Sequence, residues 1–357
     1  MKKVLFESSI FLHQKVGGVS KYITKLNQNL FKHKISSKIL SPITINDYLD
    51  NKKENVIYYL KLKKIPKFCR KIFFFINNFS TFIYIKFKKP DLLHFSYYNK
   101  SLIKFLDIPY ILTVYDLIHE KIKSNQNEFE KEKLLNRAKH IICISKETQK
   151  DLIKIYKINK EKISVIYLGV ENKKFKISKK KYRYILFVGN RTRYKNFDNL
   201  VKAFSGSKYL VKNFKIICFG GGKFLKHEIQ NFENLSIKDN LNHVDGNDEK
   251  LFKFYKNASL YITLSNYEGF GLTLLEAMKM KCPVLCSDIP VFREIYKNSC
   301  KFVNPKNINN IRKGMENILK SNIVRKRLIF NSIPVIKRFS WEECALNTSK
   351  IYKKILN

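Results

Sequence analysis

Nine short runs dominated by apolar residues, separated by stretches of helical periodicity, constrain this chain more than any other feature. Five lie in its first half: Lys3-Val4-Leu5-Phe6, Lys38-Ile39-Leu40, Asp91-Leu92-Leu93-His94-Phe95, Tyr110-Ile111-Leu112-Thr113-Val114 and His140-Ile141-Ile142-Cys143-Ile144. Parallel strands covered by helices on both faces read as continuous apolar runs, whereas strands with one wet face alternate. The pattern pauses at the basic stretch from Lys173 to Arg183. It restarts with Tyr184-Ile185-Leu186-Phe187-Val188-Gly189, Lys215-Ile216-Ile217-Cys218-Phe219-Gly220, Leu260-Tyr261-Ile262-Thr263-Leu264 and Pro283-Val284-Leu285-Cys286. An α/β chain of two Rossmann-like halves with parallel sheets is therefore expected. A length of 357 residues suits two cores of ordinary size. The expected division is residues 1–175, residues 176–335, and a C-terminal helix within 336–357. That helix opens at Ser340-Trp341-Glu342-Glu343, which has the S-x-x-E form of a capping box, and runs to about Ile355.

Charge is the compositional outlier, with 70 Lys and Arg against 29 Asp and Glu for a net +41. Such a field attracts phosphates, nucleic acid or an anionic membrane face. Compositional drift accounts for it equally well, because Lys, Ile, Asn, Phe and Tyr are all abundant, as an A+T-rich coding sequence would produce. The seven cysteines (Cys69, Cys143, Cys218, Cys282, Cys286, Cys300, Cys344) are odd in number, lie mostly inside apolar runs and form no C-x-x-C pair. They read as reduced core residues of a cytoplasmic protein, and no metal site is expected. The N-terminal segment meets Glu7 early and shows no signal-peptide pattern. The most apolar stretch, Ile72 to Phe87, is broken by Asn77, Asn78 and Lys86, and falls short of the roughly 18 apolar residues of a spanning helix.

Glu268 and Glu276 bracket a Gly-Phe-Gly turn and the helical pattern Leu272-Thr273-Leu274-Leu275-Glu276-Ala277-Met278. A glycine turn opening a helix presents backbone N–H groups and the positive end of the dipole to a phosphate or sugar oxygen. Carboxylates flanking it suit hydroxyl groups, because an ionised carboxylate only accepts. A plain surface turn with acidic residues near a helix start explains the same spacing. A second cluster, Phe187-Val188-Gly189-Asn190-Arg191-Thr192-Arg193-Tyr194-Lys195-Asn196-Phe197, places three cations between a strand and a helix, where they would neutralise a diphosphate. Its bland alternative is a solvated basic loop.

The segment Ser265-Asn266-Tyr267-Glu268-Gly269-Phe270-Gly271-Leu272-Thr273-Leu274-Leu275-Glu276-Ala277-Met278, followed by Pro283-Val284-Leu285-Cys286-Ser287, closely resembles the E-x7-E signature of the retaining glycosyltransferase family 4, which includes bacterial mannosyltransferases and sucrose synthases. The resemblance is strong from about residue 184 to 300 and weaker before that. It implies the GT-B architecture, two facing Rossmann-like domains, with the first on the acceptor side, the second binding the nucleotide sugar, and the last helix crossing back to the first. It also implies donor contacts at Glu268, Gly269, Phe270, Gly271, Leu272 and Glu276. Glu268 would meet donor-sugar hydroxyls, and Glu276 the ribose. The family's phosphate-binding Arg and Lys map onto Arg191 and Lys195.

The turn Val16-Gly17-Gly18-Val19 enters a helix, and adjacent glycines permit close backbone approach. In the resemblance Gly17 and Gly18 face the donor phosphates. In Thr113-Val114-Tyr115-Asp116-Leu117-Ile118-His119-Glu120 many relatives carry a His immediately before the Asp, where this chain has Tyr115. Asp116, His119 and Glu268 are the catalytic candidates, His119 by virtue of titrating near neutrality; a His119 bonded to backbone for structure fits the sequence equally well. Ile65, Phe68, Ile72, Phe75, Phe79 and Phe82 recur at steps of three and four, with Lys64, Lys67 and Lys71 along another side. A core-facing helix is the first expectation, since every globular helix needs an apolar stripe. A basic aromatic helix lying on an anionic membrane surface is the second.

The implied reaction moves a hexosyl unit from a nucleotide diphosphate sugar to a glycan or polyprenyl-linked acceptor in surface polysaccharide biosynthesis, with retention and without a metal or other cofactor. It would take place in the cytoplasm, with the enzyme peripheral on the inner membrane face. No side-chain nucleophile is named. Glu268 and Glu276 do not suit a glycosidase pair, since one lies in a loop and the other inside a helix. The alternatives are a basic nucleic-acid-binding protein, for which the chain has no RNP, zinc-finger or recognition-helix pattern, and a GT-B phosphorylase or epimerase.

Overall fold

A computed structural model describes the chain except residues 51–54, 67, 104–105, 123–127 and 172–181; the side chains of residues 128–130 and 193 are also outside the description. Two compact units emerge, one of Met1–Gly169 with Ser340–Asn357 and one of Val170–Phe339. The division expected after residue 175 falls outside the described residues.

Unit 1 carries β1 (Lys2–Phe6), β2 (Ile35–Leu40), β3 (Ile43–Thr44), β4 (Val56–Ile57), β5 (Leu60–Lys61), β6 (Leu92–Phe95), β7 (Tyr110–Val114), β8 (His140–Cys143) and β9 (Ile163–Val165). Seven of these form one parallel sheet in the order β4-β2-β1-β6-β7-β8-β9, while β3 and β5 pair separately. The central register sets Val4 opposite Leu92 and Phe6 opposite His94. Leu5, Leu93, Phe95, Leu112, Val114 and Ile141 share one side of its apolar interior. Unit 2 carries β10 (Tyr184–Val188), β11 (Lys215–Phe219), β12 (Leu241–Val244), β13 (Leu260–Thr263), β14 (Val284–Ser287) and β15 (Lys301–Val303), all parallel, in the order β12-β11-β10-β13-β14-β15. All nine apolar runs form strands. Continuous burial explains their legibility, since every residue of β6, β7, β8, β13 and β14 is buried.

The C-terminal helix Trp341–Leu356 belongs to unit 1 and packs on the helix Gly18–Leu30. Ser340 caps it, its Oγ accepting from the Glu343 amide at 3.0 Å. Gly169 permits this return: a Cβ there would lie 2.1 Å from the Trp341 nitrogen. Inside unit 1, His94 is fully buried and hydrogen-bonded to Tyr352 Oη at 2.6 Å and Thr113 Oγ1 at 2.8 Å. Burial pushes its pKa down to about 3, so it is a neutral structural group. None of the seven cysteines forms a disulfide, and six of them are buried.

The core-facing expectation for the aromatic stripe fails at Phe68, Ile72, Phe75 and Phe79, while Ile65 is buried and Phe82 half-buried. Along Arg70–Lys88 the buried residues are Asn77, Thr81 and Ile85, while Ile72, Phe75, Phe79, Ile83 and Phe87 are exposed. Asn77 is the cause, because it serves the backbone of β3: its Oδ1 accepts from the Ile43 amide and its Nδ2 donates to the Ile43 carbonyl, both at 2.9 Å. Lys67 lies outside the described residues.

Candidate functional site

In open parallel sheets ligands bind beyond the carboxyl ends of the strands, where chain order reverses. In unit 2 that place lies beside β10, which has β11 on one side and β13 on the other. The loops after these strands are tied to one another. Asn196, in the left-handed region at φ 53, donates through Nδ2 to Leu264 O at 2.9 Å and Asn266 Oδ1 at 2.7 Å. The Asn266 amide donates back to Tyr194 O at 2.8 Å. This lattice brings Lys195 Nζ to 2.5 Å from Glu268 Oε1, the same oxygen that accepts from Ser265 Oγ at 2.7 Å. Both side chains of the ion pair remain about one-fifth exposed. Burial acts to lower the Lys195 pKa, but Glu268 and Tyr194 outweigh it and hold the ammonium above its ordinary value.

The next turn is shaped by Gly271, which takes φ +90 as the N-cap of the helix Leu272–Lys279. A Cβ there would sit 2.6 Å from the Phe292 ring, and Tyr296 Oη donates to the carbonyls of Gly271 at 2.6 Å and Phe270 at 3.2 Å. Only glycine meets both demands. Gly271 provides no side-chain cap, and the Leu274 amide donates to the Gly271 carbonyl at 2.9 Å. Phe270 buries its ring against Phe339, leaving its backbone as the part that borders the turn. Glu276 lies inside the helix and is buried, with Tyr255 Oη 3.4 Å from its Oε2. Burial first, and Glu276 second, push the Tyr255 phenol well above its ordinary value, so it stays a proton donor to the carboxylate.

Arg191 has a different partner from the one expected. Its Nε donates to Glu228 Oε1 at 2.7 Å, and Nη2 donates to Glu228 Oε2 at 3.2 Å and to the carbonyls of Gly222 and Lys223 at 3.0 and 2.9 Å. Only Nη1 lacks a partner. The guanidinium therefore ties the loop after β10 to the loop after β11. Burial acts to raise the Glu228 carboxyl, but the bonds from Arg191 and the Leu225 amide outweigh it and hold its pKa low. The Arg193 side chain lies outside the described residues.

Sequence reasoning passed over Gly220, Gly221 and Gly222, all with positive φ. A Cβ on Gly221 would lie 2.4 Å from Gly189 O, so these two strand-end loops can come this close only because residue 221 is a glycine. The signal was visible as three adjacent glycines at the end of an apolar run. Asn196 was also missed, since its role depends on a bond to Asn266 in a loop 70 positions away, and so was Ser265, whose hydroxyl meets Glu268 three positions on.

The remaining candidates lie in unit 1. Gly17 and Gly18 begin the helix Gly18–Leu30; a Cβ on Gly18 would meet nothing within 4 Å, whereas one on Gly17 would press on the Gln14 side chain. Asp116 follows β7, is half-buried, and accepts from the Ile118 amide at 3.1 Å. His119 is exposed on the short helix Ile118–Ile122. Tyr115 is buried, its Oη donating to Ser96 O at 3.1 Å.

Residues 16–174 match the family described as Glycosyltransferase Family 4, and residues 169–333 match Glycosyl transferases group 1. The chain is 29% identical to an uncharacterized glycosyltransferase of Methanocaldococcus jannaschii over 99% of this chain and 98% of that one. It is 33% identical to the O-antigen chain mannosyltransferase of Salmonella typhimurium over 52% of each chain. In fold it resembles an Anabaena protein solved in complex with UDP and glucose, at a TM-score of 0.79, 14% identity and coverage of 99% of this chain and 100% of that one.

Proposed function

Because the chain is a glycosyltransferase of the GT-B fold, built from a family 4 domain and a group 1 domain, we propose that it transfers a hexosyl unit from a nucleotide diphosphate sugar to a glycan or polyprenyl-linked acceptor with retention at the anomeric carbon. The Lys195–Glu268 pair at the β10 switch point carries this reading. Lys195 is a partly exposed cation with a raised pKa at the carboxyl end of a strand, which suits a diphosphate leaving group without a metal. Lys195 and Ser265 both occupy Glu268 Oε1, so Oε2 is the oxygen assigned to a donor-sugar hydroxyl. Glu276, with Tyr255 behind it, would accept from the ribose hydroxyls, and the Gly269–Leu272 backbone would border the sugar and diphosphate. Arg191 enters as the brace that aims the β10 loop, with Nη1 as its one remaining donor.

In the transfer, the bond from the anomeric carbon to the diphosphate oxygen breaks and a bond to the acceptor oxygen forms on the same face. The acceptor proton passes to the departing phosphate. Asp116 and His119 are proposed to orient the acceptor. The Salmonella relative's O-antigen role supports surface polysaccharide as the product class and the cytoplasmic membrane face as the workplace.

The test is calorimetric titration of UDP-, GDP- and TDP-sugars into the full chain and its Glu276→Ala variant. One nucleotide sugar should bind, and the variant should bind it at least tenfold more weakly, about 1.4 kcal/mol. Equal affinity in the variant would remove Glu276 from the donor site, and an absence of binding by the whole panel would sink the reading.

A further inference from the structure

We propose that the helix Arg70–Lys88 is a built docking surface for an anionic lipid bilayer, lying in the interface with its phenylalanines inserted. Phe68, Ile72, Phe75, Phe79, Ile83 and Phe87 recur at steps of three and four, which places them on one face. That face points to solvent: Phe68 is 81% exposed, Phe75 69%, Phe79 55% and Phe87 79%. The opposite side meets the rest of unit 1, with Asn77 and Thr81 fully buried beside Ile85 and with Phe73 and Phe74 packed on the core. A helix of a soluble protein turns its apolar stripe to the core and charged or polar residues to water, whereas this one shows water a second aromatic stripe.

Asn77 locks this orientation in place. Its two bonds to the Ile43 backbone, together with Thr81 Oγ1 donating to Asn77 O at 2.8 Å, fix the helix about its axis. Rotating the phenylalanines inward would strand the Ile43 amide and leave its carbonyl only the longer bond from Ser41 Oγ at 3.3 Å, so the exposed face cannot be withdrawn without the cost of a buried unpaired donor. Phe75 and Phe79 stack with rings 6.3 Å apart and 9° from parallel. The apolar surface continues past the helix into a groove of about 310 Å³ lined by Leu40, Tyr59, Phe79, Ile83, Tyr84 and Phe87.

The charge pattern selects the occupant. The helix contains no Asp or Glu, and Arg70, Lys71, Lys88 and Lys89 at its two ends are exposed. Cations flanking an aromatic face fit phosphate headgroups above inserted rings. A second copy would bring the same cations and the same net +41 to the contact, which opposes pairing. No helix among the described residues is long and apolar enough to cross a membrane, so the contact is interfacial. The inference goes beyond the transfer reaction, since it rests on unit 1 alone and holds whichever sugar is moved.

The experiment is co-sedimentation of the full chain with vesicles of equimolar phosphatidylglycerol and phosphatidylcholine, and with pure phosphatidylcholine, in the absence of any sugar nucleotide. Partition onto the anionic vesicles should be at least about tenfold stronger than onto the neutral ones. The Phe75→Ser/Phe79→Ser variant, altered only at exposed positions, should keep its melting temperature and lose at least about tenfold of that partition. Phe79→Trp should be quenched by brominated acyl chains above the constant background of buried Trp341. Any of three results would overturn the proposal: no preference for anionic vesicles, equal binding by the double variant, or binding without quenching. A lipid-free dimer dispersed by the double variant would overturn it too, by naming a second copy as the occupant. Vesicle binding needs no donor, so its failure is distinct from failure of the transferase reading.

Discussion

Each unit has a switch point beside its central strand, and each puts a carboxylate there, but the two carboxylates are used in opposite ways. In unit 1, β1 lies between β2 and β6, and Glu7 follows β1 directly. Its Oε1 accepts from the Ser96 amide and hydroxyl and the Tyr97 amide, and its Oε2 from the Ser9 amide and hydroxyl and Asn99 Nδ2, all within 3.2 Å. It is fully buried and saturated by neutral donors. In unit 2, Glu268 is partly exposed, and the bonds it accepts from Lys195 and Ser265 both fall on Oε1. A saturated carboxylate closes a crevice, whereas one with an oxygen to spare can meet a ligand. The same topology thus supplies a structural knot in one unit and a candidate site in the other.

The largest expected effect tests the knot. Glu7→Ala removes the acceptor of six donors, and at ~1–3 kcal/mol for each one that finds no other partner unit 1 should lose at least about 3–5 kcal/mol of stability. Trp341, the single tryptophan, is buried in unit 1 and reports its unfolding by fluorescence in urea. A midpoint unchanged from the parent would show that Glu7 ties nothing together. Next comes the site itself. Lys195→Ala should reduce transfer by about 10²–10³-fold, the usual loss of one donor to a developing anion. Its ion pair is about four-fifths buried, so its loss should cost the fold about 1–3 kcal/mol, less than the loss of Glu7. Rates that hold while the melting temperature collapses would reverse the two roles assigned to Lys195 and Glu7.

How far the sequence reveals this contrast follows from burial. The nine apolar runs are legible because central parallel strands are dry on both faces. The edge strands β12 and β15 are not: Leu241-Asn242-His243-Val244 and Lys301-Phe302-Val303 are half wet and carry polar residues, so no continuous run marks them. Lys195 and Glu268 could be singled out because the resemblance to the E-x7-E family picks out these two strand-end loops, where spacing alone left a surface turn and a solvated basic loop open. Glu228, 37 positions from Arg191, could not, since a carboxylate on a surface-patterned helix gives no sign of which cation it will meet. The aromatic helix misled for a related reason. Periodicity reports that an apolar face exists, but which way it points was decided by Asn77 and the unpaired edge of Ile43.

The smallest effect separates the units by pH. In unit 1 the pKa values of His13, His94 and His140 all lie below the ordinary value, and burial is the leading cause for each, followed by Arg70 for His13 and by Lys354 and Lys162 for His140. Unit 2 has His227 exposed and His243 half-buried. A histidine whose folded pKa is depressed contributes its full stability above the unfolded value of about 6.5, and loses it as pH falls from there, because the unfolded chain takes up the proton first. His94, held to about 3, alone should cost unit 1 roughly 1.4 kcal/mol per pH unit below that point, or about 2 kcal/mol by pH 5. The lowered carboxyls of unit 2, Glu228, Asp288 and Glu316, act at lower pH, since their stabilisation persists until pH falls below the ordinary carboxylate range. Between pH 6.5 and 5, amide protection factors, which divide out the intrinsic pH dependence of exchange, should therefore fall in β1, β6 and β7 more than in β10 and β13. A His94 ring that titrates near 6.5 by NMR, or an equal loss of protection in both sheets, would refute the asymmetry.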